Sequence, residues 1–284
     1  MEVFPIIYSR TYYMDYAPDF YVCPSVFDNN TIEKFRGYIT EALQYPNMIR
    51  DIRKVTISEN GYTVFGYACE LAELIKQKEK KLELLSYTRD VKNRGVVSFL
   101  GIAIRNGELT EKNIPDNIDE VIYNLFDKYI VDDEKWLHKE INHYVENSFE
   151  ISVMEYKRKN NIQGKLVCHN KRIYFSNADN DNELFLQIMS KSGREKKLNY
   201  CSDYYGIESV KDSRFNIITS RYIEKIRKCF ETEVQECNLH EKRHRDSLFL
   251  LQKKTNKVVF VTACVVIFLI IIIGICISER FINK

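Results

Sequence analysis

"KVTISENGYTVFGY", residues 54–67, decides how the first half of this 284-residue chain folds. Two β-rich runs meet at Asn60-Gly61, a dipeptide that suits a tight two-residue turn, so the stretch predicts a β-hairpin. Upstream, "VFPIIYSRTYY" at 3–13 reads as a strand. Downstream, "GVVSFLGIAI" at 95–104 reads as a buried-type strand ended by Asn106-Gly107. Between them, "DNNT" at 28–31 is helix-start chemistry, and Ile32, Phe35, Ile39 and Leu43 follow at helical spacing. Leu71, Leu74, Ile75 and Leu82 predict a helix behind the hairpin, with Lys76, Lys78, Lys80 and Lys81 on its exposed side. Ile118, Val121, Ile122, Leu125, Phe126 and Tyr129 mark an amphipathic helix, and Trp136, Leu137, Ile141, Tyr144 and Val145 continue that layer. The expectation is a mixed α/β domain over 1–147.

The pattern changes near Ser148. "FEISVMEYK", "GKLVCHN" and "RIYFSN" are short β-rich runs, followed by a short helix around Leu184 to Met189. Residues 148–216 are therefore expected as a small β-rich α+β module, with one continuous domain as the alternative. From Ser220 to Asn256 there is no Pro or Gly, and Ile223, Ile226, Phe230, Cys237, Leu248 and Leu251 keep a helical rhythm. A helical stalk over 217–257 is expected.

Residues 258–278, "VVFVTACVVIFLIIIIGICIS", are 21 residues without a charge. As a helix they span roughly 30 Å, the thickness of a bilayer's hydrocarbon core. A transmembrane helix is expected there, with 279–284 as a short tail. Residues 1–20 carry Glu2, Arg10, Asp15 and Asp19 and no apolar run of signal-peptide length. Lys253, Lys254 and Lys257 flank the apolar run on its N-terminal side. Basic flanks stay cytoplasmic, so the expected layout is a single-pass, tail-anchored protein of an inner membrane with its bulk in the cytoplasm. The overall expectation is an α+β (mixed α/β) cytosolic region, a long helix and one C-terminal transmembrane helix. Within the span, Cys264, Ile271 and Ser278 recur at seven, with Gly274 nearby, a face on which copies of the helix would pack in a homo-oligomer. The eight cysteines are scattered without a CxxC pair, as free thiols of a reducing compartment would be.

Composition sets further bounds. Apolar residues make up 45% of the chain, enough for a proper core, and the net charge of +2 confines any polyanion site to a local patch. Three groups of residues suit an anionic ligand such as a nucleotide or oligonucleotide. Tyr8, Arg10 and Tyr12 share one face of the first expected strand, where two rings flanking a guanidinium suit a base and a phosphate. Arg89, Lys92 and Arg94 lie in "TRDVKNRG", and Lys191, Arg194, Lys196 and Lys197 in "KSGREKK", an expected loop. The structural alternative is half-buried sheet tyrosines and solvated basic surface.

Catalytic motifs are weak. "HEKRH", His240 to His244, has the HExxH spacing that puts two imidazoles one helical turn apart around zinc, with Glu241 beside them. Its two middle residues are Lys242 and Arg243, cations that oppose Zn²⁺, and only Cys237 stands near as a further ligand. "NADNDNE" at 177–183 alternates acids like a calcium loop, but Leu184 and Ser190 occupy the positions that need Gly and Glu, so it reads as a helix N-terminus with an acidic first turn. Cys168-His169 are sequence neighbours, which on a strand point oppositely and make no dyad. No P-loop, G-x-S-x-G or dinucleotide fingerprint occurs, so no cofactor is expected and an enzyme is disfavoured.

In its order of parts the chain resembles the membrane-anchored effectors of bacterial anti-phage systems, a likeness of architecture without a family motif. That resemblance implies a cytosolic sensor that oligomerises, binds or loses an anionic ligand or a regulatory partner protein, and opens a path through the inner membrane. The alternatives are an inert membrane-anchored adaptor and a tethered zinc hydrolase using His240, Glu241 and His244.

Overall fold

The computed structural model of the protein describes residues 1–13, 20–44, 52–76, 78, 81–132, 136, 144–157, 166–169, 172–176, 181–192, 198–206, 210–230 and 235–236. All of them belong to one compact unit, Met1–Cys237. The apolar run at 258–278 and the stalk from 237 onward lie outside the described residues. Among those described, no helix is long and apolar enough to cross a membrane.

The chain opens with β1 (Glu2–Ser9) and β2 (Val22–Pro24), then α1 (Asn29–Ala42). The hairpin is β3 (Arg53–Glu59) and β4 (Tyr62–Glu70). Short helical turns α2 (Leu71–Leu74) and α3 (Lys81–Leu84), and a 3-10 turn at Leu85–Thr88, lead to β5 (Val97–Arg105). After β6 (Ile114–Pro115) comes α4 (Ile118–Phe126), continued by a π-helical turn at Asp127–Val131. Then follow β7 (Tyr144–Glu146), β8 (Phe149–Glu150), β9 (Val153–Met154), β10 (Leu166–His169) and β11 (Arg172–Ser176). The remainder is α5 (Asp181–Ser192), β12 (Tyr200–Cys201), β13 (Ile217–Ser220), α6 (Ile223–Cys229) and β14 (Gln235–Glu236).

Twelve of the described strands form one sheet, in the order β14-β10-β11-β13-β12-β3-β4-β5-β1-β2-β7, with β8 pairing β1. The centre, β3-β4-β5-β1, is antiparallel. The sheet does not stop at Ser148: β12 pairs antiparallel with β3, Tyr200 opposite Thr56 and Cys201 opposite Val55. Parallel pairs β11–β13 and β12–β13 lie beyond that join.

The hairpin turns as its sequence requires, with Asn60 at φ 49° and Gly61 at φ 81°, both left-handed. Gly66 and Gly101 face each other across β4–β5, and the Phe99 ring lies over both, so a Cβ on either would strike that ring or the neighbouring backbone. Pro5 sits in β1 between the stretch that meets β8 and the residue that meets β2, so its missing N–H breaks no ladder bond on that edge.

Side chains alternate between two covered faces. On one, Val55, Ile57, Val64 and Phe99 join α1's Phe35 and Ile39 and α6's Ile223 and Ile226 in a single apolar core. The α1 start is the expected one: Asp28 caps it, accepting from the Thr31 N–H at 2.8 Å. Its end lacks basic residues of its own. Arg53, buried on β3, supplies the cation instead, donating from Nη1 to the carbonyls of Ala42 at 2.7 Å and Gln44 at 3.0 Å. On the other face, α4 buries Ile118, Ile122, Leu125 and Phe126 as its periodicity predicts, and α5 packs Phe185 against Phe65, Tyr67 and Tyr200.

Four expectations change. Tyr144 and Val145, expected to continue the helical layer, form β7 against β2 instead. The helix expected behind the hairpin breaks into α2, α3 and a 3-10 turn, and Leu82 is exposed rather than buried. The strand expected over 3–13 ends at Ser9, where Ser9 Oγ bonds the Arg10 carbonyl. The stalk expected over 217–257 does not begin as helix. Its β-branched residues Ile217, Ile218 and Thr219 instead form β13 between β11 and β12, and α6 ends at Cys229 before Gln235 and Glu236 pair with β10.

Gly61→Ala should destabilise the protein by about 1 kcal/mol, because the added Cβ meets open space but not the left-handed backbone. Urea unfolding of the pair measures this, and Gly107→Ala, at φ 99° after β5, should behave alike.

Candidate functional site

Two of the three basic groups come together in space. Beyond β1, Arg10 reaches the 89–95 loop, where its Nη1 lies 3.3 Å from Asp90 Oδ2 and its Nη2 donates to the Gly95 carbonyl. Asp90 organises that loop. Its Oδ1 accepts from the N–H groups of Lys92 at 2.9 Å and Arg94 at 2.8 Å, and Oδ2 accepts from Arg94 Nε at 2.7 Å. Asn93, at φ 60°, closes the turn, and Arg89 pairs with Gly95 as an isolated bridge. Desolvation pushes the Asp90 carboxyl up, but the Arg94 N–H and guanidinium and the Arg10 charge outweigh it and hold the group below its ordinary 3.8. Arg10 and Asp90 side chains are only 11% and 4% exposed, whereas Arg94 is 51% exposed.

This geometry reassigns the expected ligand residues. Tyr8 is a core residue, its ring 5.6 Å from Phe20, and strand alternation ends before Tyr12. Tyr12 lies against Trp136, ring centroids 6.2 Å apart. Arg10 is already met by a carboxylate and a carbonyl, so its charge holds the loop onto the end of β1. The cations left facing solvent are Arg89, Lys92 and Arg94. Lys191 sits in the last turn of α5 rather than in a loop, because the helix extends to Ser192. Arg194, Lys196 and Lys197 lie outside the described residues, as do Cys237, His240, Glu241, His244, Cys264, Ile271, Gly274 and Ser278. Among the described residues no group of three metal-ligating side chains occurs. Cys23, Cys69 and Cys201 are buried free thiols, and burial pushes Cys201 up to about 12, which leaves it unreactive.

A second polar cluster, which the sequence did not single out, lies on the α4–α5 face of the sheet. Lys54, one residue along β3 from Arg53, projects toward the first turns of both helices. Its Nζ stands 5.9 Å from the rings of both Tyr67 and Phe185. Burial lowers its pKa, against the upward pull of Asp119 and Asp181. Tyr67 donates to Asp119 Oδ1 at 2.5 Å. Asp181, the first residue of α5, is 9% exposed, and its Oδ1 has no hydrogen-bond partner, nor do the hydroxyls of Tyr200 and Thr56. Burial raises Asp181 from 3.8 to about 6, with the Thr219 hydroxyl and Lys54 pulling it down and Asp203 adding to the rise. A half-buried lysine and a buried carboxyl with opposed shifts are the signature of a functional pair, or of a core that tolerates charge. The signal in sequence is slight: Lys54 follows Arg53 as the second of two cations at the start of a β-rich run.

A third feature is a groove of about 480 Å³ beside α4, floored by Leu125, Tyr129 and Phe149 and edged by Asp116, Glu120 and Glu150. None of the residues expected to bind ligand lines it. In comparisons with known proteins, no family model, curated protein or solved structure matches the chain.

Asp90→Ala should cost about 3 kcal/mol, since it removes the carboxylate opposite Arg10 and undoes the loop, while Arg94→Ala should cost less than about 1 kcal/mol. Urea midpoints rank the two. For Asp181 the folded pKa lies above the ordinary one, so its stabilising contribution is complete below 3.8 and lost as pH rises through about 6. Asp181→Asn should therefore stabilise the protein by roughly 1–3 kcal/mol near pH 8 and bring nothing near pH 4, read as thermal midpoints across pH.

Proposed function

We propose that the chain is a membrane-anchored binding and signalling protein, whose α+β body meets an anionic partner and passes that state to a bilayer-spanning helix. One observation carries this reading: residues 258–278 hold 21 uncharged residues directly after Lys253, Lys254 and Lys257. Support on the body's side is the compactness of Met1–Cys237, a unit with its own core, and the corner where Arg89, Lys92 and Arg94 face solvent. The anionic partner meets those three exposed residues and not Arg10, whose side chain is buried against Asp90. Cys264, Ile271, Gly274 and Ser278 provide the face on which spans from several copies pack, and a partner that favours one packing by a few kcal/mol gates a path between them. A defence role in a bacterial inner membrane is the setting this order of parts suits.

Alkaline carbonate should leave the full chain in the membrane pellet, and Leu269→Lys, a charge at mid-span costing about 3 kcal/mol, should shift it toward the supernatant. If wild type is extracted as readily as the variant, the anchor reading fails. Reordering residues 258–278 at constant composition separates gate from anchor: a gate loses membrane depolarisation on expression, whereas an adaptor is unaffected.

A further inference from the structure

The corner around Asp90 is unusual in what it exposes besides charge. Leu82 is 76% exposed, Val91 49%, Tyr13 43% and Leu85 40%, four of the six most exposed large apolar side chains among the described residues. Backbone and ring contacts tie three of the four together. The Val91 N–H bonds the Tyr12 carbonyl at 2.9 Å, and the Tyr12 ring stands 4.8 Å from Tyr13 and 6.2 Å from Trp136. Trp136 in turn lies 6.5 Å from Tyr87, which shares the 3-10 turn with Leu85. Leu82 lies one helical turn before Leu85 on the same continuous segment. Apolar tips therefore project at the end of β1 and the start of β5, backed by Tyr12, Tyr87 and the chain's single tryptophan.

Charge surrounds them. Residues 76–94 hold seven basic and three acidic side chains, and one of the acids, Asp90, is buried and neutralised from both sides. Arg89, Lys92 and Arg94 all face solvent beside Val91. Arg89 donates to the Asn93 carbonyl at 3.0 Å, which keeps the loop closed and holds Val91 at its tip. Protein–protein contacts deplete lysine and bury their apolar residues in a broad centre. Isolated apolar tips set among lysines and arginines, with tyrosine and tryptophan behind them, match the chemistry of a lipid headgroup zone.

We infer that the corner formed by residues 82–94 and Tyr12–Tyr13 is a docking surface for an anionic lipid bilayer, into which Leu82, Leu85 and Val91 insert while Arg89, Lys92 and Arg94 meet the headgroups. This names the anionic partner in the proposed function and rests on that reading. It also gives the broken helix behind the hairpin a purpose. A continuous helix would have turned Leu82 inward, whereas α3 and the 3-10 turn leave it out in solvent.

The test uses the full-length protein in nanodiscs of phosphatidylcholine alone or with phosphatidylglycerol at about 3:1, read by backbone hydrogen exchange and by trypsin cleavage after Arg89, Lys92 and Arg94. Cleavage after the exposed Lys157 is the internal control. Anionic discs should slow exchange over 82–94 by roughly tenfold or more relative to neutral discs, and high salt should reverse much of that. Leu82→Asp with Val91→Asp, and separately Arg89→Gln with Lys92→Gln, should each remove the protection. All four positions are exposed, so a thermal midpoint unchanged from wild type confirms that the fold is kept. Equal exchange in both discs overturns the inference. Protection already present in detergent micelles assigns the corner to a second copy, and protection in neutral discs on adding a single-stranded oligonucleotide assigns it to nucleic acid. Either result overturns the lipid assignment. Failure of the chain to incorporate into discs would instead defeat the anchor. In that case flotation of the soluble protein with the same two lipid compositions decides the corner.

Discussion

The two halves of the body are held in one sheet by a short backbone pairing, β12 against β3. Only Tyr200 and Cys201 face Thr56 and Val55. Side chains lengthen this join where the ladder stops. Ser202 Oγ accepts from the Lys54 N–H at 2.7 Å, while the Ser202 N–H donates to the Lys54 carbonyl at 2.9 Å. At the other end Asn199 Oδ1 accepts from the Ser58 N–H at 2.7 Å, and Asn199 Nδ2 donates to the Tyr38 hydroxyl on α1 at 2.7 Å. The backbone groups of Lys54 and Ser58 that flank the strand pair are met, which is what lets so short a ladder carry a continuous sheet. Both helix layers depend on it, since α1 and α6 share the core on one face, and α5 packs on the other over Tyr200 and the hairpin.

Charge is handled differently in three places, and burial explains the difference. Arg53 is buried and caps α1, though its Nε and Nη2 have no partner, so burial lowers its pKa and its worth lies in the two carbonyls it satisfies. Lys54, the next residue, turns to the other face and meets two carboxylates only at a distance. Arg10 and Arg94 close directly on Asp90 and convert three charges into a rigid loop. That rigidity gives the basic corner its definite shape, with Val91 at the tip and cations around it. The same loop chemistry thus serves stability through Asp90 and recognition through the basic side chains the loop leaves exposed.

Much of the body could be read from residues alone. The hairpin at Asn60-Gly61, the start of α1 at Asp28, the buried stripe of α4 and the strand at 97–105 each follow from a local rule: turn conformation, capping, or apolar period. The reading weakened where neighbours far along the chain decide the outcome. Tyr8, Arg10 and Tyr12 have the spacing of a ligand face, but β1 ends at Ser9, Phe20 covers Tyr8, and Asp90 answers Arg10. Ile217, Ile218 and Thr219 fit a helix by the lack of breakers, yet β11 and β12 leave a gap between them that β-branched residues fill as a strand. Lys54 and Asp181 carry no motif, because the pair exists only once α5 crosses β3.

By itself the sequence determined the alternation and turns of the central strands, the amphipathic faces of α1 and α4, and an uncharged run of bilayer length at 258–278. These depend on hydrophobicity and backbone preference, which act over a few residues at a time. Tertiary structure alone decided that residues on either side of Ser148 share one sheet, which arginine is buried and which is presented, and that Leu82 faces out. Those outcomes turn on desolvation and on what stands within a few ångströms, and neither quantity exists until distant segments have packed.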